Sequence, residues 1–266
     1  MWSNLATLVR YRGLIRSLVA RELKARYRGS VLGFFWSFVN PLMLLSIYTF
    51  VFTTILPNKE PAAQPYALFM FCGLLPWTWF SSSLIEAGGS LISGSNLIKK
   101  VLFPAEVLPI VSVLANMVHF FLGLTILVAF FVGYRYPPDW TDLLFFPLVV
   151  IIQFIFTTGL ALGLAALTVH FRDIRDLLSN LLTFWFFSTP IIYPYFMEGV
   201  KKYQRLFDLN PIFHLAVSYQ EILFFRGSFV EGHLKLLLVF GGVSVLVFIA
   251  GYWLFDRLRD SFAEVA

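Results

Sequence analysis

Residues 29–58, GSVLGFFWSFVNPLMLLSIYTFVFTTILPN, form a run without a single charged side chain. A bilayer hydrocarbon core about 30 Å thick needs roughly 20 apolar residues in a helix, so this run is long enough to cross a membrane. The whole chain of 266 residues has the same character, with 59% apolar and 13% charged residues. Soluble domains average roughly 45–50% apolar and about 25% charged residues. The sequence therefore predicts an integral membrane protein.

Five further windows without Asp, Glu, Lys or Arg reach a comparable length. They are residues 61–85, 107–134, 143–171, 177–197 and 236–255. We predict one all-α membrane domain over residues 1–266, with transmembrane helices at 31–56, 66–86, 107–133, 143–170, 177–194 and 236–255. Gly159 and Gly163 in the fourth span have the spacing that lets two helices approach closely.

A basic segment precedes the first span. Over residues 5–28, apolar residues such as Leu14, Ile15 and Leu18 share one helical face. The same range contains seven Lys and Arg residues but a single acid, Glu22. This pattern predicts an amphipathic helix in the inner headgroup layer. The excess of positive charge places both termini of a six-span chain in the cytoplasm. Such a helix serves either as a topology anchor or as a direct contact for substrate.

The segment between spans two and three does not read as a span. Residues 87–105, AGGSLISGSNLIKKVLFPA, are Gly-rich and polar, and they end near Pro104. This composition predicts a short cytoplasmic helix between two breaks. It is either a docking surface for a soluble partner or a plain connector.

Residues 198–235 lie on the external side in the six-span arrangement. Their uncharged stretch 209–220 is too short for a full crossing, and Asn210-Pro211 interrupts it near its start. Runs of this length are typical of re-entrant or interfacial elements. Phe213, Val217 and Leu223 predict a short amphipathic helix at the outer surface. The segment is either a gate or an aromatic hairpin that holds the outer interface.

Motifs for chemistry within this chain are missing from the sequence. It has no G-x-x-x-x-G-K-[ST] phosphate loop and no H-E-x-x-H motif, and its four histidines are scattered. Cys72 is the single cysteine, which excludes an intramolecular disulfide. The spans contain few ionisable residues, which disfavours an ion-coupled pump. We therefore predict a chain without catalytic residues, metal ligands or a cofactor of its own.

The spans are rich in aromatic residues. Most of these rings are expected to face lipid or to pack between helices, but flat rings also stack well against sugars. The rings that we predict for a sugar-translocation path are Phe34, Phe35, Trp36, Phe38, Tyr48, Trp77 and Tyr193.

Six motifs follow one another in a recognisable order. They are RELKARYRGSVLGFFWSFVNPLM (21–43), GLLPWTWFSSSL (73–84), SNLIKKVLFPAEVLP (95–109), HFRDIRDL (170–177), TPIIYP (189–194) and NPIFHL (210–215). Over nearly its whole length the chain resembles the transmembrane subunit of ABC-2 type polysaccharide exporters, which export lipid-linked O-antigen, capsule and teichoic acid chains.

The resemblance implies a homodimer in the bacterial inner membrane, with two copies of a separate nucleotide-binding subunit that binds ATP and Mg²⁺. It implies that residues 94–100 form a coupling helix for that ATPase and that 198–235 supply re-entrant gate helices. Its coupling residues would be Ser95, Asn96, Leu97, Ile98, Lys99 and Lys100. The access site for a lipid diphosphate would be formed by Arg21, Lys24, Arg26 and Arg28.

The function that these expectations favour is outward movement of a polyprenyl-diphosphate-linked polysaccharide. An exporter of small lipophilic compounds is the first alternative. A membrane enzyme acting on lipid-linked sugars is the second, and it lacks a clustered pair of acids, because Asp173 and Asp176 each lie near an arginine. The sequence does not specify the glycan.

Overall fold

The computed structural model describes residues 11–55, 60–98, 103–171, 173–227 and 229–262, and the regular structure in these ranges is entirely helical. The α-helices are α1 Arg12–Arg26, α2 Trp36–Phe50, α3 Tyr66–Ser93, α4 Ser95–Ile98, α5 Val107–Gly133, α6 Trp140–Leu143, α7 Phe146–His170, α8 Ile174–Phe187, α9 Glu198–Lys202, α10 Gln204–Asp208, α11 Pro211–Leu223, α12 Phe229–Gly232 and α13 Leu234–Leu258. Short 3₁₀ turns at Gly33–Phe35, Pro61–Ala63 and Arg259–Ser261 and a π-helical turn at Val51–Ile55 extend or join them.

Five helical segments in the described ranges are long and apolar enough to cross a membrane. They are Gly33–Ile55, Tyr66–Ser93, Val107–Gly133, Trp140–His170 and Leu234–Ser261. They correspond to five of the six predicted spans, and the all-helical membrane fold is confirmed. The second segment continues seven residues beyond the predicted end at residue 86, because Ala87, Gly88 and Leu91 are buried and extend its packed face.

Helix α3 is the centre of the bundle. Every residue from Tyr66 to Trp77 is buried, and the helix packs against both α5 and α7. Trp79 Nε1 donates a hydrogen bond to the Val113 carbonyl of α5 at 3.2 Å, and Gln153 Nε2 of α7 donates to the Pro76 carbonyl at 2.8 Å. Inside a bilayer such polar groups need partners within the protein, so these bonds fix the neighbours of α3.

Helices α7 and α13 approach each other through glycines. A Cβ atom on Gly159 would lie 2.5 Å from the Phe248 Cα, and a Cβ on Gly251 would overlap the Gly159 carbonyl. The close approach predicted from small residues in the fourth span is therefore confirmed. Ile152 lies beside Gly241 and Gly163 lies beside Gly251, so the two helices run parallel.

The fifth predicted span, 177–194, differs from a continuous transmembrane helix. Helix α8 has 14 residues and a length of about 21 Å, which is short of the thickness of a bilayer. It ends at Phe187 because the residue before a proline, here Thr189, is disfavoured in helical conformation. The non-helical chain then continues to Ile192, whose carbonyl accepts a hydrogen bond from the Tyr66 hydroxyl at 2.9 Å.

The described residues of segment 198–235 contain four short helices before α13, and one of these helices is buried. In α11 all residues from Ile212 to Leu223 are buried, and the helix contacts α3, α7 and α13. The helix predicted after Asn210-Pro211 is present, and its predicted position at the outer surface of the membrane stays a prediction. Polar residues such as Ser218 and Gln220 are also buried, so the helix is enclosed on all sides rather than on one apolar face.

The basic segment forms α1, and residues 5–10 of the predicted helix lie outside the described residues. Leu18 packs against Val107 and Val111 at the start of α5. The apolar face of α1 is therefore covered by a span of the same chain, as well as being suited to the headgroup layer. Gly29 and Gly33 have φ of 78° and 50° at the turn that leads into α2. This positive φ explains why both positions are glycine.

Candidate functional site

The predicted coupling segment forms one short helix, α4, at the end of α3. Asn96 is exposed, whereas Leu97 and Ile98 are partly buried and Ser95 is also partly buried. Lys99 and Lys100 lie outside the described residues.

Leu97 and Ile98 pack inward, against buried side chains from the ends of four different helices. We expected both residues to serve as anchors for a partner, but part of their surface is already covered by their own subunit. We call these side chains the cytoplasmic cluster, after the side of the membrane predicted for α4, and its buried residues are Leu91, Ala105, Leu108, Leu162, Ala165, Ala166, Val169, Tyr252, Phe255 and Phe262.

Two polar contacts hold the end of the last span at this cytoplasmic cluster. Arg259 Nη2 lies 3.7 Å from Oε2 of the buried Glu106, and the Ser261 hydroxyl lies 3.0 Å from His170 Nε2. The end of α13 is thus attached to the start of α5 and to the end of α7. A movement of α4 would be transmitted to several spans at once, because they share this cluster.

The four basic residues predicted to receive a lipid diphosphate have two different environments. Arg21, Lys24 and Arg28 have exposed side chains on α1 and in the turn after it. Arg26 instead forms an ion pair of 2.6 Å with Glu86 on α3, and its side chain is 26% exposed. Its positive charge is therefore paired with a carboxylate of the same subunit, and its assignment to the lipid diphosphate stays a prediction.

Asn116 of α5 completes a three-residue network with Arg26 and Glu86. Arg26 Nη1 donates to Asn116 Oδ1 at 3.2 Å, and Asn116 Nδ2 donates to Glu86 Oε2 at 2.7 Å. This network joins α1, α3 and α5. The sequence showed Glu86 at the edge of an uncharged window, but nothing in the sequence indicated its partners.

A polar cavity of about 430 Å³ lies next to this network, between the turn after α1 and helices α2, α3 and α5. At its wall the Tyr27 hydroxyl lies 2.6 Å from the Ser37 hydroxyl and 3.4 Å from His119 Nε2. Trp36 Nε1 donates to the Ser30 hydroxyl at 2.9 Å. The cavity therefore combines hydroxyl, imidazole and indole groups.

The rings predicted for a sugar path are distributed over several environments. Phe34 and Phe35 are exposed, at 49% and 69%, and the predicted rings of intermediate exposure are Trp36, Phe38, Tyr48 and Tyr193. Trp77 is an exception, because it is 8% exposed and lies in the core, where its ring contacts Phe186. Its place on a sugar path stays a prediction, and within one subunit its ring is enclosed by the core.

Phe186 of α8 brings two of the predicted rings together. Its ring centroid lies 5.7 Å from that of Tyr48 and 5.6 Å from that of Trp77. Tyr193 lies elsewhere, in the wall of an apolar pocket of about 530 Å³ formed by the end of α8 and by α10. Only part of the predicted set is therefore contiguous within one subunit.

Asn210 joins helix α8 to the buried helix α11. Its Oδ1 accepts hydrogen bonds from Trp185 Nε1 at 2.7 Å and from the Ile212 amide at 3.1 Å, and its Nδ2 donates to the Ser188 carbonyl at 3.2 Å. The ring of Trp185 contacts Phe80, which lies halfway along α3. The start of α11 is therefore level with the middle of the central helix.

A buried polar cluster at the other end of α11 was missed in the sequence. Glu221 is 1% exposed, and its Oε1 accepts hydrogen bonds from the Tyr195 hydroxyl at 2.8 Å and from His233 Nδ1 at 2.9 Å. Burial, followed by the charge of Glu221, raises the pKa of Tyr195 well above its usual value, so its hydroxyl remains a donor. An acid directly after the uncharged stretch 209–220 was the available signal.

Sequence comparisons identify relatives that match nearly the whole chain. The chain is 41% identical over 258 residues to the O-antigen export system permease protein RfbA of Myxococcus xanthus, covering 97% of this chain and 96% of that protein. It is 32% identical over 252 residues to an RfbA protein of Klebsiella pneumoniae, covering 95% and 94%. It is 22% identical over 245 residues to the polysialic acid transport protein KpsM of Escherichia coli, covering 90% and 92%.

The profile of the ABC-2 type transporter family matches residues 13–224. This match covers most of the chain, and the RfbA relatives exceed 30% identity over nearly their full length. Together with the helical membrane fold, these matches show that the chain belongs to the ABC-2 type transporter family.

Proposed function

We propose that this chain is the permease subunit of an ATP-driven exporter that moves a polyprenyl-diphosphate-linked, O-antigen-like polysaccharide outward across a bacterial inner membrane. The observation that carries the proposal is the similarity, over nearly the full length, to proteins named for O-antigen export. The apolar helices of the described ranges suit a multi-pass membrane component. Its part in the system is transport, not catalysis.

Six membrane crossings, with both termini in the cytoplasm, are part of this proposal. Helices α7 and α13 run parallel, so the chain between them must return to the side on which α7 began. Arg175 lies beside Gly89 near one end of α3, and Ile192 contacts Tyr66 at the other end. Helix α8 and the non-helical chain after it thus run along nearly the whole length of α3, which supports a fifth crossing that is only partly helical.

Re-entrant gate helices are the second element of the proposal. Asn210 connects the start of α11 to Trp185, which is level with the middle of α3. Phe224, directly after the end of α11, contacts Phe69 in the outer third of α3. Helices α9 and α10 therefore descend into the membrane and α11 returns. The apolar pocket lined by Tyr193 and α10 faces this hairpin, which suits a gate that opens for a sugar chain.

Partner subunits supply ATP hydrolysis and the second half of the translocation path. We assign ATP and Mg²⁺ to a separate nucleotide-binding subunit, present in two copies, because the sequence contains no phosphate loop. Its docking surface is the exposed side of α4 around Asn96. A second copy of this chain covers α2 and α8, because the large apolar side chains Ile47 on α2, Phe184 on α8 and Phe35 just before α2 are exposed in one subunit.

Deletion of the gene in its host tests the proposed function. Surface glycan, measured by antibody binding to intact cells, should fall to background, and lipid-linked glycan should accumulate in spheroplast extracts. Re-expression of the wild-type chain should restore both, whereas a plasmid without the gene should not. If surface glycan stayed at its wild-type level while cells accumulated a lipophilic dye, the alternative of a small-molecule exporter would replace this proposal.

A further inference from the structure

The polar cavity near Arg26 extends deep into the membrane region of a single subunit. It reaches from the level of Asn116 and Arg26 to that of Thr78 and Phe120, which lie close to the middle of α3 and α5. Polar groups at this depth cost free energy unless they have partners. Many of the lining groups bond to one another or to the backbone, and the remaining polar groups of the lining suit a polar occupant or water.

We propose that this cavity binds the sugar residue nearest to the diphosphate of the lipid-linked glycan. The proposal rests on the proposed function and specifies which part of the substrate is recognised and where. The ligand class is a neutral hexopyranose attached to a lipid diphosphate.

The charge of the cavity favours a neutral ligand over an anion. Among the described residues that line it, Arg26 is the one cationic side chain, and the ion pair of 2.6 Å with Glu86 neutralises it. Asn116 binds both groups and holds the pair in place. The exposed Arg28 follows two residues later in the chain, at the cytoplasmic end, where the diphosphate would remain outside the cavity.

The arrangement of polar and aromatic groups suits a sugar ring. Thr78 and Ser82 lie one helical turn apart on α3 and line the same wall. The opposite wall carries Ser37, Tyr27 and the ring of Trp36. Hydroxyl groups around the edge of a hexose need hydrogen-bond partners, and its CH-rich face stacks on an aromatic ring.

Unused hydrogen-bonding capacity is also present in this cavity. The side chains of Ser82 and Asn40 line it and make no hydrogen bond among the described residues. Pro41 on α2 has no N–H, so the Ser37 carbonyl one turn earlier lacks its helical hydrogen bond. The volume of about 430 Å³ lies within the range of roughly 300–1,000 Å³ that is typical of small-ligand sites.

Binding to the complete transporter in lipid nanodiscs tests the proposal. The probe is a radiolabelled polyprenyl diphosphate that carries one hexose, prepared with gluco and with galacto configuration. The comparison probes are the same lipid diphosphate without sugar and phosphatidylglycerol, whose head also offers hydroxyl groups. The variants are Thr78→Val with Ser82→Ala, which removes two hydroxyl groups at nearly constant shape, and Ser82→Phe, which fills the cavity.

We expect the wild-type transporter to bind one of the sugar-bearing probes about tenfold more tightly than the sugar-free lipid diphosphate, since at least two hydrogen bonds are gained. The double variant should lower this preference to about threefold or less. Ser81→Ala is the matched control, because Ser81 is next to Ser82 in the chain but does not line the cavity. It should keep the wild-type preference.

Three results would overturn the inference. They are equal affinity of wild type for sugar-bearing and sugar-free probes, a preference that the double variant leaves unchanged, and equal competition by phosphatidylglycerol. If Ser82→Phe fails to fold, the double variant still decides. Surface glycan is measured in parallel in cells that express the wild-type transporter. If these cells export glycan but the transporter shows no preference for sugar-bearing probes, only this inference is contradicted. If the wild-type transporter exports no glycan, the proposed function is contradicted.

Discussion

Single glycines set the distance between the fourth and the last span. A Cβ atom at Gly159 would lie 2.5 Å from the Phe248 Cα and 2.7 Å from its amide nitrogen, which are backbone atoms that cannot rotate away. Even the smallest side chain at this position therefore requires the two helices to separate. Their separation would also disturb the cytoplasmic cluster below them.

We expect Gly159→Ala to destabilise the subunit by about 1–3 kcal/mol, the usual cost of overpacking. Gly242→Ala on α13 is the matched control, because a Cβ at Gly242 meets nothing within 4 Å. The control should be neutral or slightly stabilising, since Ala favours helix over Gly. Thermal unfolding of the purified protein in detergent measures both, and equal midpoints for the two variants would contradict the close approach of the helices.

At the scale of elements, one side of α4 packs against its own subunit and the other side is exposed. Leu97 and Ile98 contact the cytoplasmic cluster, which contains residues of α3, α5, α7 and α13. Asn96 is exposed and free to meet a partner subunit. The two faces of this short helix therefore have separable roles, one in seating the helix and one in docking.

We expect Asn96→Arg to reduce co-purification of the nucleotide-binding subunit without lowering the thermal stability of the permease. Leu97→Ala combined with Ile98→Ala should lower that stability by about 1–2 kcal/mol, less than the roughly 2–5 kcal/mol of one fully buried residue. It should also uncouple ATP hydrolysis from export. Pull-down, thermal unfolding and ATPase assays separate these effects. Wild-type behaviour of both variants would make α4 a plain connector.

At the scale of the whole molecule, the parallel packing of α7 and α13 requires an odd number of crossings between them. We expect Lys201→Cys, in a Cys72→Ala background, to react with a membrane-impermeant maleimide from outside spheroplasts. Asn96→Cys should react only after the membrane is permeabilised. Both side chains are exposed in the single subunit, and the permease is expressed without the nucleotide-binding subunit, so access depends on the side of the membrane alone. Protection of position 201 from external label would remove the fifth crossing.

The sequence alone determined the membrane class, the approximate positions of five long spans, the basic helix α1 and the order of motifs that resembles the family. These features depend on composition and on local periodicity, which each segment carries independently of its neighbours. The break at Thr189-Pro190 was also visible locally, because proline restricts the residue before it.

Tertiary structure decided which polar groups meet. The pairing of Arg26 with Glu86 joins residues 60 positions apart, and Tyr195, Glu221 and His233 meet only because α11 folds back into the bundle. The inward packing of Leu97 and the burial of Trp77 have the same origin. The local sequence pattern of hydrophobic residues is the same whether their side chains face lipid, a partner or the core of their own subunit. Only the packing of the helices therefore distinguishes these environments.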